Sequence, residues 1–308
     1  MIQDLAPVSA GAQHPVWFND RLVPFDEATV HVITHALNYG TAVFEGIRVY
    51  DTVNGVSIFR MHEHLERLMA SAQKFGIETP YSYDDIAAAC VDTVAASGES
   101  HGYIRPQLQF GLSKPGLGNT DVVEFSVFFW PMGRYRKSDT LNVVLSEIER
   151  ASPKAGDIEA KVTGYYTNSH FNLQYARRNG ADDAIMLDIN GNVAEAGSSN
   201  VFLVKDGILI TPQTGYILKG ITRSTIIELA RQELNLELQE RVVVPDELSV
   251  ADEIFLTGTA AEINSVANYD GRVVGRGNVG PVSQRVKQVF SQVTRGELPD
   301  YMCWHTIV

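Results

Sequence analysis

The sequence predicts an α+β protein of two domains with mixed, largely antiparallel sheets. Three observations lead there. The chain has 308 residues, which points to about two domains. Its strand candidates come in pairs around Asn19-Asp20, Asn54-Gly55, Asn190-Gly191, Asp206-Gly207 and Asp270-Gly271, dipeptides that supply the positive φ angles of tight hairpin turns. Few helical stretches fall between strands, so βαβ units and a doubly wound parallel sheet are not predicted.

Taken in order, Met1 to His14 reads as a loose arm, and Val16–Phe18 with Arg21–Val23 as a short hairpin. Val43–Tyr50 reads as a strand that Asn54-Gly55 returns into Val56–Phe59. Leu65, Leu68, Met69, Ala72 and Phe75 share one face of a helix over Met61–Phe75, which Gly76 ends. Asp84–Ala96 is a second helix, and Tyr103–Gly111 and Val122–Trp130 are two longer strands. The loop between them, Ser113 to Asn119, carries Pro115, Gly116 and Gly118. Pro131 to Asp139 carries Pro, Gly, Ser and four charges and marks a boundary; residues 132–139 read as a linker between a small domain, 1–131, and a larger cofactor-binding domain, 140–308.

Beyond the linker come strand Leu141–Ser146, helix Tyr166–Arg178, and two strand pairs, Ala184–Asp188 with Val193–Glu195 and Val201–Val204 with Ile208–Thr211. Helix Thr222–Asn235 places Ile226, Leu229, Ala230 and Leu234 on one face. Strands Val242–Val244 and Ile254–Thr257 and helix Pro281–Thr294 complete the second domain.

Composition narrows the function. Hydrophobic residues make up 44% and charged residues 20%, enough for globular cores. A net charge of −12 opposes a nucleic-acid partner but permits a local basic pocket for one small phosphate. Cys90 and Cys303 lie far apart, with neither a disulfide framework nor metal-type spacing, so no metal is expected. No apolar run approaches the roughly 18 residues of a membrane span. The N-terminus lacks a basic segment followed by an apolar core, so a cytoplasmic enzyme is the expectation.

Four features carry chemistry. Lys161 stands among small and apolar neighbours, Ala160, Val162, Thr163 and Gly164, where desolvation would expose a nucleophilic amine. Glu195 stands in a turn-rich stretch and can pair with a cationic ring nitrogen. Gly220-Ile221-Thr222-Arg223 opens a helix, where unpaired N–H groups favour an anion; Thr257-Gly258-Thr259-Ala260-Ala261 follows a strand and offers more such groups. Arg60 lies where a strand passes into a helix and presents a fork suited to phosphate. Each alone is also what a surface lysine, a capped helix or a surface arginine looks like. Together they are the parts of a pyridoxal 5'-phosphate site.

At this point the chain resembles the branched-chain-amino-acid aminotransferases of the fold type IV, D-amino-acid-aminotransferase-like group. The resemblance spans nearly the whole chain. It rests on His35-Ala36-Leu37-Asn38-Tyr39-Gly40, Phe44-Glu45-Gly46-Ile47-Arg48, Phe59-Arg60 with His64-Leu65-Glu66-Arg67-Leu68, and Tyr103-Ile104-Arg105-Pro106. Lys161, Glu195 with Asn200, Gly220 to Arg223 and Gly258 to Glu262 continue it.

The resemblance implies two domains with pyridoxal phosphate between them, and transfer of an amino group between L-leucine, L-isoleucine or L-valine and 2-oxoglutarate. It implies that Lys161 holds the cofactor covalently and shuttles the proton, that Glu195 pairs with the pyridine nitrogen, and that Tyr166 bonds the phenolic oxygen. Arg60, Ile221, Thr222 and Thr259 would bind the phosphate. Tyr103 and the N–H groups of Thr259 and Ala260 would take the substrate α-carboxylate, Arg105 the side-chain carboxylate of glutamate, and Tyr39 and Phe44 the apolar wall. Homodimers or larger homo-oligomers are implied, with Tyr39 and the Gly116–Gly118 loop crossing the interface.

The chain departs from the family pattern where Thr163, Gly164 and Tyr165 replace Gly-Gly-Asn, at Ala196 and Ser199, and at Met132 in place of a tryptophan. Those departures keep two alternatives open: a transaminase for D-amino acids or (R)-amines, and a lyase of the same fold.

Overall fold

A computed structural model of the chain describes residues 14–133 and 138–308. Most of the expected N-terminal arm and the middle of the expected linker lie outside the described residues. His14, the last residue of that arm, is buried with its ring 5.4 Å from that of Phe129.

The chain divides into two compact units that are not continuous in sequence. The first contains Met1–Gly133, Ala160–Gly164 and Thr294–Val308; the second contains Arg134–Glu159 and Tyr165–Val293. The five residues around Lys161 thus belong to the first unit, whereas a single crossing at 132–139 would have put them in the second.

The first unit is built on β1 (Val16–Phe18), β2 (Arg21–Val23), β3 (Ala42–Phe44), β4 (Ile47–Thr52), β5 (Gly55–Phe59), β6 (Gly102–Phe110) and β7 (Val123–Pro131). Together with the C-terminal strand His305–Ile307 they form one antiparallel sheet in the order C-terminal strand, β5, β4, β6, β7, β1, β2, with β3 also on β6. Asn19 holds the expected positive φ, 56°, at the tip of the first hairpin.

Val43–Tyr50, expected as one strand, is broken at Glu45-Gly46. Both halves pair with β6, Phe44 opposite Gln107 and Ile47 opposite Ile104. Between them on β6 stands Pro106, which has no N–H to donate and so interrupts the ladder. The Glu45 N–H still reaches the Pro106 carbonyl at 2.8 Å. The break frees the Glu45 side chain from strand alternation.

Three helices accompany this sheet: α1 (His35–Tyr39), α2 (Met61–Phe75) and α3 (Tyr83–Ser97). α2 buries Leu65, Leu68 and Ala72 on the face its spacing predicted, and ends at Gly76 with φ 78°. α3 opens on a capping box in which the Ser82 hydroxyl and the Asp85 carboxylate serve each other's backbone N–H groups.

The second unit contains β8 (Thr140–Leu145), β9 (Asp183–Leu187), β10 (Val193–Ala196), β11 (Asn200–Lys205), β12 (Ile208–Pro212), β13 (Leu238–Arg241), β14 (Glu253–Gly258), β15 (Glu262–Tyr269) and β16 (Arg272–Val273). The path runs β10-β9-β8-β15-β14-β11-β12-β13, and a further pairing of β10 with β11 closes the first six strands into a ring. Pairings β8–β9, β8–β15 and β12–β13 are parallel and the others antiparallel, the mixed sheet that the hairpins predicted. Ile185, Val201, Leu203, Ile254, Leu256 and Val266 fill its core.

Helices α4 (Tyr166–Arg178), α5 (Ile221–Gln232), α6 (Pro245–Ser249) and α7 (Pro281–Thr294) belong to this unit. Val242–Val244 is not a strand, contrary to expectation; the strand precedes it, at Leu238–Arg241. The residue before Pro245 must be extended and Pro245 then starts α6, so only Val243 turns inward while Val242 and Val244 stay exposed. No helix among the described residues is long and apolar enough to cross a membrane.

Candidate active site

Lys161 lies in a short turn, closed by the Val162 N–H on the Ala160 carbonyl at 3.1 Å, that β3 and α2 hold by its backbone. Its carbonyl accepts from the Phe44 N–H at 3.1 Å, its N–H donates to Ser71 Oγ at 3.0 Å, and Val162 bridges Val43. The next residues are tied down as well. Thr163 Oγ1 donates to the carbonyls of Gly40 at 2.8 Å and Ala42 at 3.2 Å. A Cβ on Gly40 would stand 2.9 Å from Gly164 Cα, and Gly40 has φ 68°, so this close crossing requires glycine there. The departure at Thr163-Gly164 thereby has a structural use, since the threonine hydroxyl ties two carbonyls beside the lysine.

Phe44 is the common neighbour of this unit's candidate residues. Its ring centroid lies 4.9 Å from Lys161 Nζ and 4.7 Å from Arg105 Cζ. Arg105 also donates to the Tyr103 hydroxyl at 3.1 Å and packs against the Phe128 ring. Its Nε is buried without a hydrogen-bond partner. A Cβ on Gly46 would fall 1.8 Å from the Tyr103 hydroxyl, so the broken strand leaves the space that the tyrosine fills. The structure therefore brings Lys161, Phe44, Tyr103 and Arg105 together. Tyr39 ends α1 just before the Gly40 crossing and is 44% exposed.

Arg60 is buried at the start of α2 with φ 53°, a left-handed conformation that costs a non-glycine residue about 1–2 kcal/mol. Its N–H donates to the Trp304 carbonyl at 2.6 Å, its guanidinium lies 4.2 Å from the Trp304 ring, and Nε reaches Glu63 at 2.6 Å. A guanidinium fixed this way loses little further freedom when it meets an anion.

In the second unit Glu195 sits where β10 meets β11, opposite Asn200. Its carboxylate accepts from Arg150 Nε at 2.6 Å, from Asn200 Nδ2 at 3.1 Å and from the Leu218 N–H at 3.2 Å. Arg150 is buried with the glutamate, and its Nη1 has no hydrogen-bond partner. Arg150 has no sequence signal: it is 45 residues from Glu195, in a stretch without a motif.

Asn200 joins the rest of this group. It is paired with Thr257 at the end of β14, and its side chain also donates to the Leu218 carbonyl at 3.0 Å, just ahead of α5. Gly220 is the N-cap of α5 and caps it with no side chain, so the first N–H groups, at Ile221 and Thr222, have no side-chain acceptor. Thr257 Oγ1 is buried without a partner, immediately before Gly258-Thr259-Ala260. Tyr166, at the start of α4, lines a cavity with Ser169, His170, Gly197 and Ser198.

A Cβ on Gly220 would stand 1.9 Å from Asn200 Oδ1. Gly220→Ala is therefore expected to push Asn200 off Glu195 and to cost about 1–3 kcal/mol. Thermal unfolding measures this; an unchanged midpoint would show that the contact relaxes without loss.

Comparison with known proteins shows the family. The family profile Amino-transferase class IV matches residues 42–269. The branched-chain-amino-acid aminotransferase of Escherichia coli strain K12 is 40% identical over 299 residues, covering 94% of this chain and 96% of that protein. The chain belongs to the class IV aminotransferase family. The Pseudomonas aeruginosa branched-chain-amino-acid aminotransferase is 38% identical, with 95% of this chain and 97% of that protein covered.

Among solved structures, the branched-chain amino acid aminotransferase from Thermobaculum terrenum in its PLP-form superposes with a TM-score of 0.90 at 34% identity, covering 96% of this chain and 98% of that one. The branched-chain aminotransferase of Thermoproteus uzoniensis with norvaline gives 0.90 at 36% identity, covering 95% and 98%. Both show the class IV aminotransferase fold in this chain.

The class IV cofactor fits the residues present. A pyridinium needs one carboxylate held in place, and Glu195 is held by three donors. A phosphate needs uncapped N–H groups and hydroxyls, and the start of α5 and the end of β14 supply both.

Proposed function

We propose that the chain is a pyridoxal-phosphate-dependent branched-chain-amino-acid aminotransferase. It moves the amino group of L-leucine, L-isoleucine or L-valine to 2-oxoglutarate. The observation that carries the substrate reading is the Phe44 ring, whose centroid lies 4.9 Å from the Lys161 amine and 4.7 Å from the Arg105 guanidinium. A branched alkyl chain needs an apolar surface; the glutamate side chain needs a cation at its edge. Phe44 with Arg105 offers both beside one amine.

Bound pyridoxal phosphate supplies an electrophilic carbonyl and an electron-withdrawing ring. The residues do the rest. Lys161 Nζ would hold the cofactor covalently and would carry the α-proton. Glu195, oriented by Arg150 and Asn200, keeps the ring nitrogen protonated. Tyr166 bonds the phenolic oxygen. Arg60, the N–H groups of Ile221 and Thr222, and Thr259 hold the phosphate. Tyr103 and the N–H groups of Thr259 and Ala260 take the α-carboxylate, and Tyr39 and Phe44 wall the alkyl side.

The test is a half-reaction spectral screen of the holoenzyme against L-leucine, L-valine, L-glutamate, a D-amino acid and an (R)-amine. The expected result is conversion by the three L-amino acids alone. Conversion by the D-amino acid or the amine in their place would move the assignment to that class, and pyruvate release from added aminodeoxychorismate without an acceptor keto acid would make it a lyase.

Arg105→Ala is expected to lower kcat/KM for 2-oxoglutarate about 10²-fold, because a charge-assisted bidentate contact is lost, while 4-methyl-2-oxopentanoate loses less than about tenfold. Equal losses would remove Arg105 as the carboxylate reader.

A cytoplasmic homodimer or larger homo-oligomer completes the proposal. In its support, Val32, Leu37, Tyr39 and Leu117 are exposed apolar residues of the first unit, and His35 Nε2 lies 3.3 Å from the Leu117 carbonyl, joining the two segments. Light scattering is expected to show at least two chains per particle, and a monomer at micromolar concentration would end this part of the proposal.

A further inference from the structure

One face of α2 carries a stripe that the proposed function leaves unused. His64, Arg67 and Ser71 follow at helical spacing. Ser71 takes the Lys161 N–H. His64 and Arg67 turn to Glu45, the residue freed by the break between β3 and β4. The Glu45 side chain has no exposure, and it accepts from Arg67 Nε at 2.5 Å, from Arg67 Nη2 at 2.8 Å and from His64 Nδ1 at 2.7 Å. The same β3 end holds the Lys161 carbonyl through the Phe44 N–H. One helix face and one broken strand thus fix both the lysine backbone and a buried carboxylate–guanidinium pair.

The charges are coupled. Burial, aided by the Arg67 charge and least by Lys161, holds the His64 imidazole below its ordinary value against the pull of Glu45. Although burial opposes it, the Arg67 guanidinium and His64 hold the Glu45 carboxyl well below the usual carboxylate range. With His64 neutral, Glu45 and Arg67 cancel, and Lys161 faces no net charge from this cluster. Of the other cations of this unit, Arg105 shares the Phe44 ring with Lys161 and keeps its charge in every variant tested below. Arg60 is bound to Glu63, Arg105 is bound to Tyr103, and Arg48 donates to the carbonyls of Met132 and Gly133.

Resting on the reading of Lys161 as the cofactor lysine, we propose that Glu45, with His64 and Arg67, is its positioning network. α2 and the β3 end set the place of the amine, and the neutralised Glu45–Arg67 pair sets its charge state. Glu45 does not touch substrate or cofactor.

The experiment is a spectrophotometric pH titration of the Lys161–cofactor linkage in wild-type, Glu45→Gln, Glu45→Asp and Glu45→Gln/Arg67→Gln holoenzymes, with thermal unfolding alongside. Glu45→Gln keeps the shape and leaves the Arg67 cation unbalanced; a cation near Lys161 disfavours its protonated form, so the midpoint is expected to fall by about one pH unit or more. Glu45→Asp keeps the charge, and the double variant restores neutrality. Both are expected to titrate within about 0.3 unit of wild type although their thermal midpoints fall.

An unshifted Glu45→Gln, or equal shifts in Glu45→Gln and Glu45→Asp, overturns the proposal. Should Glu45→Gln not fold, Arg67→Gln decides: it leaves the Glu45 carboxylate unbalanced, so a midpoint raised by about one pH unit upholds the proposal and an unshifted one overturns it. A wild-type protein with no cofactor band, or no spectral response to L-glutamate, overturns instead the reading of Lys161.

Discussion

Lys161→Ala is expected to leave a folded protein with transamination reduced roughly 10⁴-fold or more, because one amine supplies both nucleophile and proton carrier and no neighbour can replace it. The fold is expected to survive because Lys161 is anchored by its backbone. Ser71, Phe44 and Val43 hold its N–H, its carbonyl and the following residue, and none of these contacts uses the side chain. The substitution removes a half-exposed amine and leaves no buried charge. Steady-state turnover of L-leucine with 2-oxoglutarate, set beside circular dichroism and a thermal scan, checks both halves. Near-wild-type turnover would sink the assignment of Lys161; a collapsed scan would show that the side chain is structural.

Glu195→Ala is expected to damage both activity and stability. Glu195 and Arg150 are both buried, so truncating the glutamate strands a guanidinium that already has one nitrogen without a partner. Breaking one side of a buried pair costs about 3–5 kcal/mol. The Asn200 amide and the Leu218 N–H lose their acceptor at the same time. For the chemistry, a ring nitrogen without its carboxylate withdraws electrons less well, and a loss of roughly 10²–10³-fold in single-turnover rate is expected. Glu195→Gln separates the two effects, because the amide keeps the volume and can still accept from Asn200: stability is expected to recover in part, the rate much less. A Glu195→Ala holoenzyme that deaminates L-leucine at the wild-type rate would remove the residue from the mechanism.

Much of the first unit was legible from local signals. Asn54-Gly55 returned its hairpin, Gly76 ended α2, and apolar spacing chose the buried face of that helix. Arg60 was placed at the right junction, but nothing local showed its left-handed backbone or its contact with Trp304. Those depend on a C-terminal strand that pairs with β5 across most of the chain. Val242–Val244 misled because a β-branched run reads as strand, whereas Pro245 commits the chain to a helix.

By itself the sequence determined the class of sheet, through turn dipeptides whose φ preferences act over two residues. It also pointed to pyridoxal-phosphate chemistry, through the joint occurrence of Lys161, Glu195, Arg60 and two N–H-rich turns and through the family resemblance they carry. Only the tertiary structure decided which groups serve them. The Pro106 gap on β6 opened β3–β4 and turned Glu45 inward onto His64 and Arg67. Closure of the strand ring put Asn200 opposite Glu195, and burial paired that glutamate with Arg150. These are contacts between residues far apart in the chain. They follow from register and from the cost of leaving a buried charge unpaired, which no local spacing records.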